Sequence, residues 1–402
     1  MQVDCERDKT KLLQIKSEHD LHLRKAENVR SSMSKNKEMG LTKPEQDAFT
    51  FDLQKVFSVP YLSANEAYYC RQLSVYNLGV HSVNIQQAVM HVWNETTASR
   101  GAQDIASCLL RYCTDKEAAG VTSLQAYSDA YGDQNRNSKV VLMWMHICLS
   151  TAIQKIDHKF MVSGHSFLPN DSDFGVIEKV TVKHVNDVHV PEQWYGLIEK
   201  CKRGQTYQVV RMQQQDFLSL SELAKYVTVR KLDVDGNKVE WLKIQHIQIR
   251  QEAPLMMYYK YSVQNDLPFS CVSFSRKGRP LKDDYVLKSL YNEPRPLSVE
   301  KANDLHKLLK YVPPVYHSFY YTVISKTASS NIPGCSDEVI LECADDDDDD
   351  AVGNQTSELG SSSAGDSGMR CGSLSSHSAS QVKRRQKEDV VFYNNHAVGC
   401  AS

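Results

Sequence analysis

The sequence has 402 residues, of which 41% are hydrophobic and 24% are charged, and its formal net charge is −2. A chain of this length suits about two globular domains and a tail, and its near-neutral charge excludes a protein that is basic over its whole surface. No run of 18 apolar residues predicts a membrane span, residues 1–9 lack the apolar core of a signal peptide, and the eleven cysteines include no Cys-x-x-Cys pair. We therefore expect an intracellular protein with reduced thiols and no membrane partner.

Four regions are predicted along the chain. Residues 1–44 predict a helical segment, because they are charged and favour helix while their leucines are too sparse for a heptad repeat. The region 45–190 predicts an α/β domain, 191–325 a small α+β unit, and 326–402 a disordered acidic and Ser-rich tail.

The elements of the region 45–190 follow a definite order. They are a strand ending at Asp52, strands over 69–78 and 88–95, a helix over 97–113, a strand over 122–128, a buried helix over 139–152, a strand from 155, and a helix capped by Asn170 or Asp171.

That order is the ribonuclease H-like succession, in which catalytic acids lie on the first strand, at the end of the fourth strand and near the last helix. Asp52, Asp129 and Asp171 occupy those places. The sequence thus predicts a mixed sheet flanked by helices, in which the strands that end at Asp52 and Asp129 are direct parallel neighbours.

A family resemblance covers residues from about 10 to about 320. The segments that carry it are residues 19–27, Phe51-Asp-Leu-Gln-Lys-Val, Trp93-Asn-Glu-Thr-Thr-Ala-Ser-Arg-Gly, residues 127–129 and 132–137, 158–162, 164–171, Pro296-Leu and residues 313–320. They resemble an uncharacterised domain family of transposon-like proteins with a ribonuclease H-like transposase or integrase core. The resemblance implies metal-dependent phosphodiester cleavage or strand transfer on DNA, and relatives with a zinc-binding segment before this region.

Two positions depart from that family. Tyr131 and Asp133 stand where relatives more often have Cys and Gly. The alternative to an active enzyme is therefore a non-catalytic nucleic-acid-binding or protein-interaction module that keeps the fold.

The acids predict a metal site. Carboxylates brought together repel one another unless cations lie between them, and hard oxygen ligands select Mg²⁺ or Mn²⁺. We expect Asp52 and Asp129 to be ligands, with Asp171 as the preferred third ligand, Asp173 as the second choice and Glu178 as the third choice.

Polar residues near these acids have two interpretations each. Gln134, Asn135 and Arg136 either contact a phosphate backbone or cap the following helix, and His165 either contacts phosphate or an acid or satisfies a turn carbonyl.

The region 191–325 is locally basic, since residues 200–310 contain 20 Lys plus Arg against 12 Asp plus Glu. Arginines near Tyr207, Trp241, Tyr258 and Tyr259 suit a surface that binds phosphates and stacks bases, but ordinary solvated strands with a buried aromatic core give the same pattern. Runs on either side of Asp235-Gly predict a β-hairpin.

The tail carries an unbroken acidic run at 345–350 and a basic cluster at 383–387. The cluster is either a nuclear-import signal or a solvated charge run. The expected partner is nucleic acid, with DNA preferred, and the sequence leaves the oligomeric state open.

Overall fold

The structure is a computed structural model that describes residues 2–130, 135–164, 167–184, 187–202, 204, 206–264, 266–282, 284–326 and 343–344. Most of the predicted tail, with its acidic and basic runs, lies outside the described residues.

The described residues form nine α-helices and fourteen strands. The helices are α1 (Gln2–Thr42), α2 (Asn65–Tyr69), α3 (Ala102–Ala118), α4 (Ser138–Ser150), α5 (Pro169–His184), α6 (Pro191–Lys200), α7 (Ser221–Ala224), α8 (Val299–Leu308) and α9 (His317–Ile324). The strands are β1 (Gln46–Leu53), β2 (Phe57–Val59), β3 (Leu73–Ser82), β4 (Gln87–Asn94), β5 (Ser123–Ser128), β6 (Lys155–Phe160), β7 (Gln208–Arg211), β8 (Leu218–Ser219), β9 (Val229–Arg230), β10 (His246–Arg250), β11 (Met256–Lys260), β12 (Ser270–Ser273), β13 (Lys288–Ser289) and β14 (Cys343–Ala344).

One ten-stranded mixed sheet organises the molecule. Its strand order is β12-β11-β10-β6-β5-β1-β3-β4-β7, with β2 paired beside β3. In its centre β1, β5 and β6 are parallel, whereas β3 is antiparallel to β1. The prediction that the strands ending near Asp52 and Asp129 are direct parallel neighbours is confirmed.

Alternation along the central strands sends side chains to two different layers. Phe49 and Phe51 of β1 and Leu124 of β5 join the buried core that α3 and α4 cover. The opposite face packs against α5, α6 and α1 in two further apolar clusters. The chain is thus an α/β protein with a large mixed sheet flanked by helices.

The predicted boundary at 190/191 does not divide the sheet. Strand β7 pairs with β4 at one edge, and β10 pairs with β6 at the other, so the region 191–325 extends the sheet in both directions. Two small sheets, β8 with β13 and β9 with β14, accompany it.

The predicted hairpin around Gly236 is wrong in extent, although its turn is present. Gly236 has a φ of 79°, and the backbone N–H of Asp233 donates to Asn237 across the turn at 2.8 Å. The chain beyond the turn enters a 3₁₀ turn at Trp241–Lys243, and β10 then pairs with β6 and β11. Within the described residues, no helix is long and apolar enough to cross a membrane.

Candidate functional site

The three predicted acids lie at one end of the central strands. Asp52 is the penultimate residue of β1, Asp129 follows β5 directly, and Asp171 is in the first turn of α5. Thr50 pairs with Tyr127 across the two parallel strands, and the same register places Asp52 level with Asp129.

Helix α5 is attached at its first turn by a buried asparagine. Asn170 accepts a hydrogen bond from Thr50 Oγ1 at 2.6 Å, and its amide donates to the carbonyl of Gly79 on β3 at 2.8 Å. Gly79 also lets the helix approach closely, since a Cβ there would lie 2.8 Å from Cε1 of Phe174. These contacts bring Asp171 to the end of β1.

Asp129 is positioned by a buried hydrogen-bonded chain from the other face of the sheet. Trp144 Nε1 donates to His158 Nδ1 at 3.2 Å, and His158 Nε2 is 3.0 Å from Ser128 Oγ. Ser128 Oγ in turn donates to the backbone carbonyl of Asp129 at 2.9 Å. Burial lowers the pKa of His158 to about 3, so its ring is neutral, which suits an acceptor at Nδ1 and a donor at Nε2.

The carboxyl of Asp52 is affected by both other acids. Burial, the charge of Asp129 and, more weakly, the charge of Asp171 together raise the pKa of Asp52 to about 7. A hydrogen bond of 2.8 Å from the backbone N–H of Leu53 opposes it. Like charges raise an acid's pKa when they lie near it, and the strand register together with the attachment of α5 places these three residues at the same end of the sheet. We call Asp52, Asp129 and Asp171 the acid group.

Two members of the acid group also have local partners. Asn135 donates a side-chain hydrogen bond to Asp129, and Oδ2 of Asp171 accepts from the backbone N–H of Leu168 at 3.0 Å. In the part of the chain that the structure describes, no three His, Cys, Asp or Glu side chains are arranged to hold a metal ion. As placed, the carboxylates would have to move closer together to share a cation.

Asp173 and Glu178 are placed differently. Asp173 is a buried residue of α5, and its two carboxylate oxygens contact His81 Nδ1 at 2.6 Å and Tyr207 Oη at 2.8 Å. Glu178 is exposed further along the same helix. Neither joins the acid group, so Asp171 is the third acid that the geometry favours.

The polar loop before α4 packs back onto the protein. The guanidinium of Arg136 lies 4.9 Å from the ring centroid of Phe160 and donates to the carbonyl of Leu242. The cap of α4 is Asn137, whose side chain accepts from the backbone N–H of Lys139 at 2.8 Å. Neither Asn135 nor Arg136 caps the helix, and Gln134 and His165 lie outside the described residues.

The predicted aromatic surface of the basic region is partly core. Tyr207 and Tyr259 are buried, so their rings do not face solvent. Arg250 stacks on Tyr258, with 4.1 Å from its guanidinium carbon to the ring centroid.

One cluster of buried polar residues was not predicted. Asp157 and Lys159 of β6 are buried beneath α1, together with His246 and Lys260 from neighbouring strands. Lysines and an aspartate at alternate positions of a strand are typical of a face exposed to solvent. Here these side chains are buried because helix α1 covers that face of the strand.

Comparisons with protein-family models, with curated proteins and with solved structures find no match for this chain.

Proposed function

We propose that this chain is a transposon-derived, ribonuclease H-like domain whose acid group binds Mg²⁺ or Mn²⁺ and acts on phosphodiester bonds of DNA. The observation that carries the proposal is geometric: the register of β1 and β5 places Asp52 level with Asp129, and the contacts of Asn170 hold the first turn of α5, with Asp171, at the same end of the sheet. The raised pKa of Asp52 agrees with a functional role, because acids with strongly perturbed pKa values are candidates for function.

The order of the central strands supports the proposed fold. Strand β3 lies antiparallel to β1 on one side. On the other side β5 lies parallel to β1, and β6 lies parallel to β5. Without the short strand β2, β5 is the fourth strand in chain order. That is the arrangement expected of a ribonuclease H-like sheet, and the acid group occupies the expected strand and helix ends.

Each acid would have a separate task. A divalent cation would supply charge stabilisation and an activated water or 3′-hydroxyl. Asp52 would lose its proton and bind the cation as a carboxylate. Asp129 would bind the cation in place of its hydrogen bond from Asn135. Asp171 would be the third ligand, and its binding would draw the start of α5 toward the strand ends.

The second candidate is a non-catalytic module that retains the fold. The hydrogen bond from Asn135 to Asp129 favours it, because a carboxylate that holds its own loop in place has a structural role without any metal. Its expected partners are nucleic acid or another protein.

Thermal melting of the wild type and Asp129→Ala, with and without millimolar Mn²⁺, separates the two functions. Metal binding to the folded state should stabilise the wild type by about 2–3 kcal/mol at a concentration 100 times the Kd, and the variant should not respond. Without metal, Asp129→Ala should be as stable as the wild type or more stable, because it relieves repulsion. The matched control is Asp115→Ala, at a half-exposed acid paired with Arg111, which should keep the full Mn²⁺ response.

A nicking assay on supercoiled DNA completes the test. Cleavage that requires Mg²⁺ or Mn²⁺ and disappears in Asp129→Ala supports the enzyme. If Mn²⁺ does not stabilise the wild type and the variant is destabilised by about 1 kcal/mol, Asp129 is structural and the non-catalytic module is preferred.

A further inference from the structure

A cavity of about 650 Å³ lies between α1 and the polar face of the sheet. Side chains from α1, β5, β6, β10 and β11 line it, and Asp157, Lys159, His246 and Lys260 are its buried ionisable residues. None of them belongs to the acid group. A cavity with convergent buried polar groups is the usual form of a small-molecule site.

Asp157, the buried aspartate of this cavity, already accepts hydrogen bonds at both carboxylate oxygens. One oxygen of Asp157 accepts from His246 Nε2 and Gln248 Nε2, both at 2.7 Å, and the other accepts from Gln125 Nε2 at 2.7 Å. Lys155 Nζ is 3.6 Å from the same carboxylate. Despite burial, the hydrogen bond from His246 and the nearby positive charges hold the pKa of Asp157 well below its usual range, so it is ionised.

Lys159 has only neutral partners. Its ammonium donates to Ser32 Oγ at 3.0 Å, Gln125 Oε1 at 3.2 Å and Tyr127 Oη at 3.4 Å, and the residue is 5% exposed. Among the described residues, no carboxylate lies within 4 Å of it. Burial and the charges of Lys155 and Lys260, opposed by the attraction of Asp157, together lower the pKa of Lys159 to about 8.

Lys260 is in a similar environment on β11, two strands away from β6. It is 7% exposed, donates to the carbonyl of Gln264 at 3.2 Å and lies 4.3 Å from the ring centroid of Phe269. Burial lowers its pKa as well. The charged side chains around the cavity are four lysines and two aspartates, so the cavity carries an excess of positive charge.

An unsatisfied acceptor lies in the same wall. Burial lowers the pKa of His246, so its ring is neutral at pH 7. Because the neutral ring donates from Nε2 to Asp157, Nδ1 carries no proton, and it has no hydrogen-bond partner in the described part of the chain. A ligand with a hydroxyl or N–H beside its negative charge would satisfy this atom.

We propose that this cavity binds a small anionic molecule whose phosphate or carboxylate oxygens contact the ammonium groups of Lys159 and Lys260. Such an anion would give each lysine a direct contact with negative charge, since Asp157 and Asp266 attract them only from beyond 4 Å in the described part of the chain. The ligand is small because Lys159 is buried beneath α1 and Lys260 is buried against Phe269, so the backbone of a nucleic acid lying on the surface cannot reach them. This proposal does not depend on the function of the acid group.

Calorimetric titration with sulfate, phosphate and succinate at pH 7 and constant ionic strength tests the site. We expect saturable binding in the wild type and a loss of affinity of about tenfold or more in both Lys159→Gln and Lys260→Gln, since each removes a charge-assisted hydrogen bond. The matched control is Lys243→Gln, at an exposed lysine paired with Glu240, which should bind like the wild type. Asp129→Ala should also bind normally.

The choice of probe and the pH separate a ligand site from a structural role. Binding of sulfate and phosphate alone identifies a phosphate-type ligand, binding of succinate alone identifies a carboxylate, and either supports the proposal. Sulfate does not titrate near neutrality, so its affinity should fall about tenfold from pH 7 to pH 9 as Lys159 loses its proton. Lys159→Gln should lose that pH dependence.

Two results would overturn the proposal. One is the absence of saturable binding for all three anions in the wild type, which needs no variant to interpret. The other is equal binding by the wild type and both lysine variants. Displacement of bound sulfate by a single-stranded oligonucleotide would assign the site to nucleic acid and would overturn it as well.

Discussion

The carboxyl of Asp52 has a different environment in the folded chain from the one it has in the unfolded chain. Its carboxyl is half-buried, and burial together with Asp129 and Asp171 favours its protonated form in the folded state. The unfolded chain has no such preference. Between pH 4 and pH 7, folding is therefore accompanied by the uptake of a proton at Asp52.

The sign of the resulting pH dependence is fixed. Because the folded pKa of about 7 lies above the ordinary aspartate value of 3.8, the contribution of Asp52 to stability is fully present below pH 4 and is lost as the pH rises to 7. Asp52→Asn should therefore gain stability relative to the wild type over that interval, by about 2 kcal/mol after allowance for solvent screening. Urea unfolding at several pH values measures it.

The control for this prediction is Asp115→Asn, at an exposed position on α3. It should follow the wild type at every pH. A constant difference between Asp52→Asn and the wild type from pH 4 to pH 7 would show that neither burial nor the neighbouring acids raise the pKa of Asp52.

At the scale of elements, the position of α5 depends on one close approach to the sheet. Gly79→Ala places a methyl group 2.8 Å from the ring of Phe174 and 3.2 Å from the amide of Asn170. We expect a loss of about 1–3 kcal/mol in the free energy of unfolding, which is typical of overpacking. Denaturant unfolding checks the value.

A second variant identifies the cause of that loss. Phe174→Leu in the Gly79→Ala background should recover part of the stability, because it removes the ring atoms that the new methyl group meets. If the two changes are additive, the glycine is required for some other reason.

The order of the core elements could be predicted because each has a local signal. The strand before Asp129 is bounded by turn formers, and α4 follows as an apolar run, so both were placed within two residues of their observed limits. The start of α8 also has a local signal, since Ser is a preferred capping residue and the side chain of Ser298 accepts from the backbone N–H of Lys301 at 3.2 Å.

Long-range partners could not be predicted in the same way. The alternation of Lys155, Asp157 and Lys159 in β6 indicates a solvated face, and nothing local shows that α1 covers it. Likewise, the polarity of Asp173 favours a ligand role, whereas its partners His81 and Tyr207 are distant in sequence. The type of a side chain predicts which bonds it can make. Whether that side chain is buried or exposed to solvent depends on elements that are distant in the sequence.

At the scale of the whole molecule, α1 is attached to the sheet by only part of its length. Ala26 and Val29 pack in the cluster that contains Tyr127, and Asn36 donates to Gln125 at 2.9 Å and to Tyr127 at 2.7 Å. Leu13, one of several exposed leucines nearer the N-terminus, is 67% exposed.

A pair of substitutions on α1 tests this attachment. Val29→Asp introduces a charge at a position with 0% exposure and should cost roughly 3 kcal/mol or more, together with the anion binding of the cavity beneath. Leu13→Asp is the matched control and should change stability by less than about 0.5 kcal/mol. Equal effects of the two variants, measured by urea unfolding, would contradict this account of how α1 is held.

The outer strands β7 and β10 come late in the chain, which affects how the sheet forms during synthesis. During synthesis β4 and β6 emerge early, but their outer partners β7 and β10 lie at Gln208–Arg211 and His246–Arg250. Until those residues leave the ribosome, both outer strands of the nascent sheet have unpaired backbone groups that other chains can join. In the finished sheet the edges are β7 and β12, of four residues each. The period of greatest exposure to aggregation therefore falls within translation, and it ends when β10 pairs with β6.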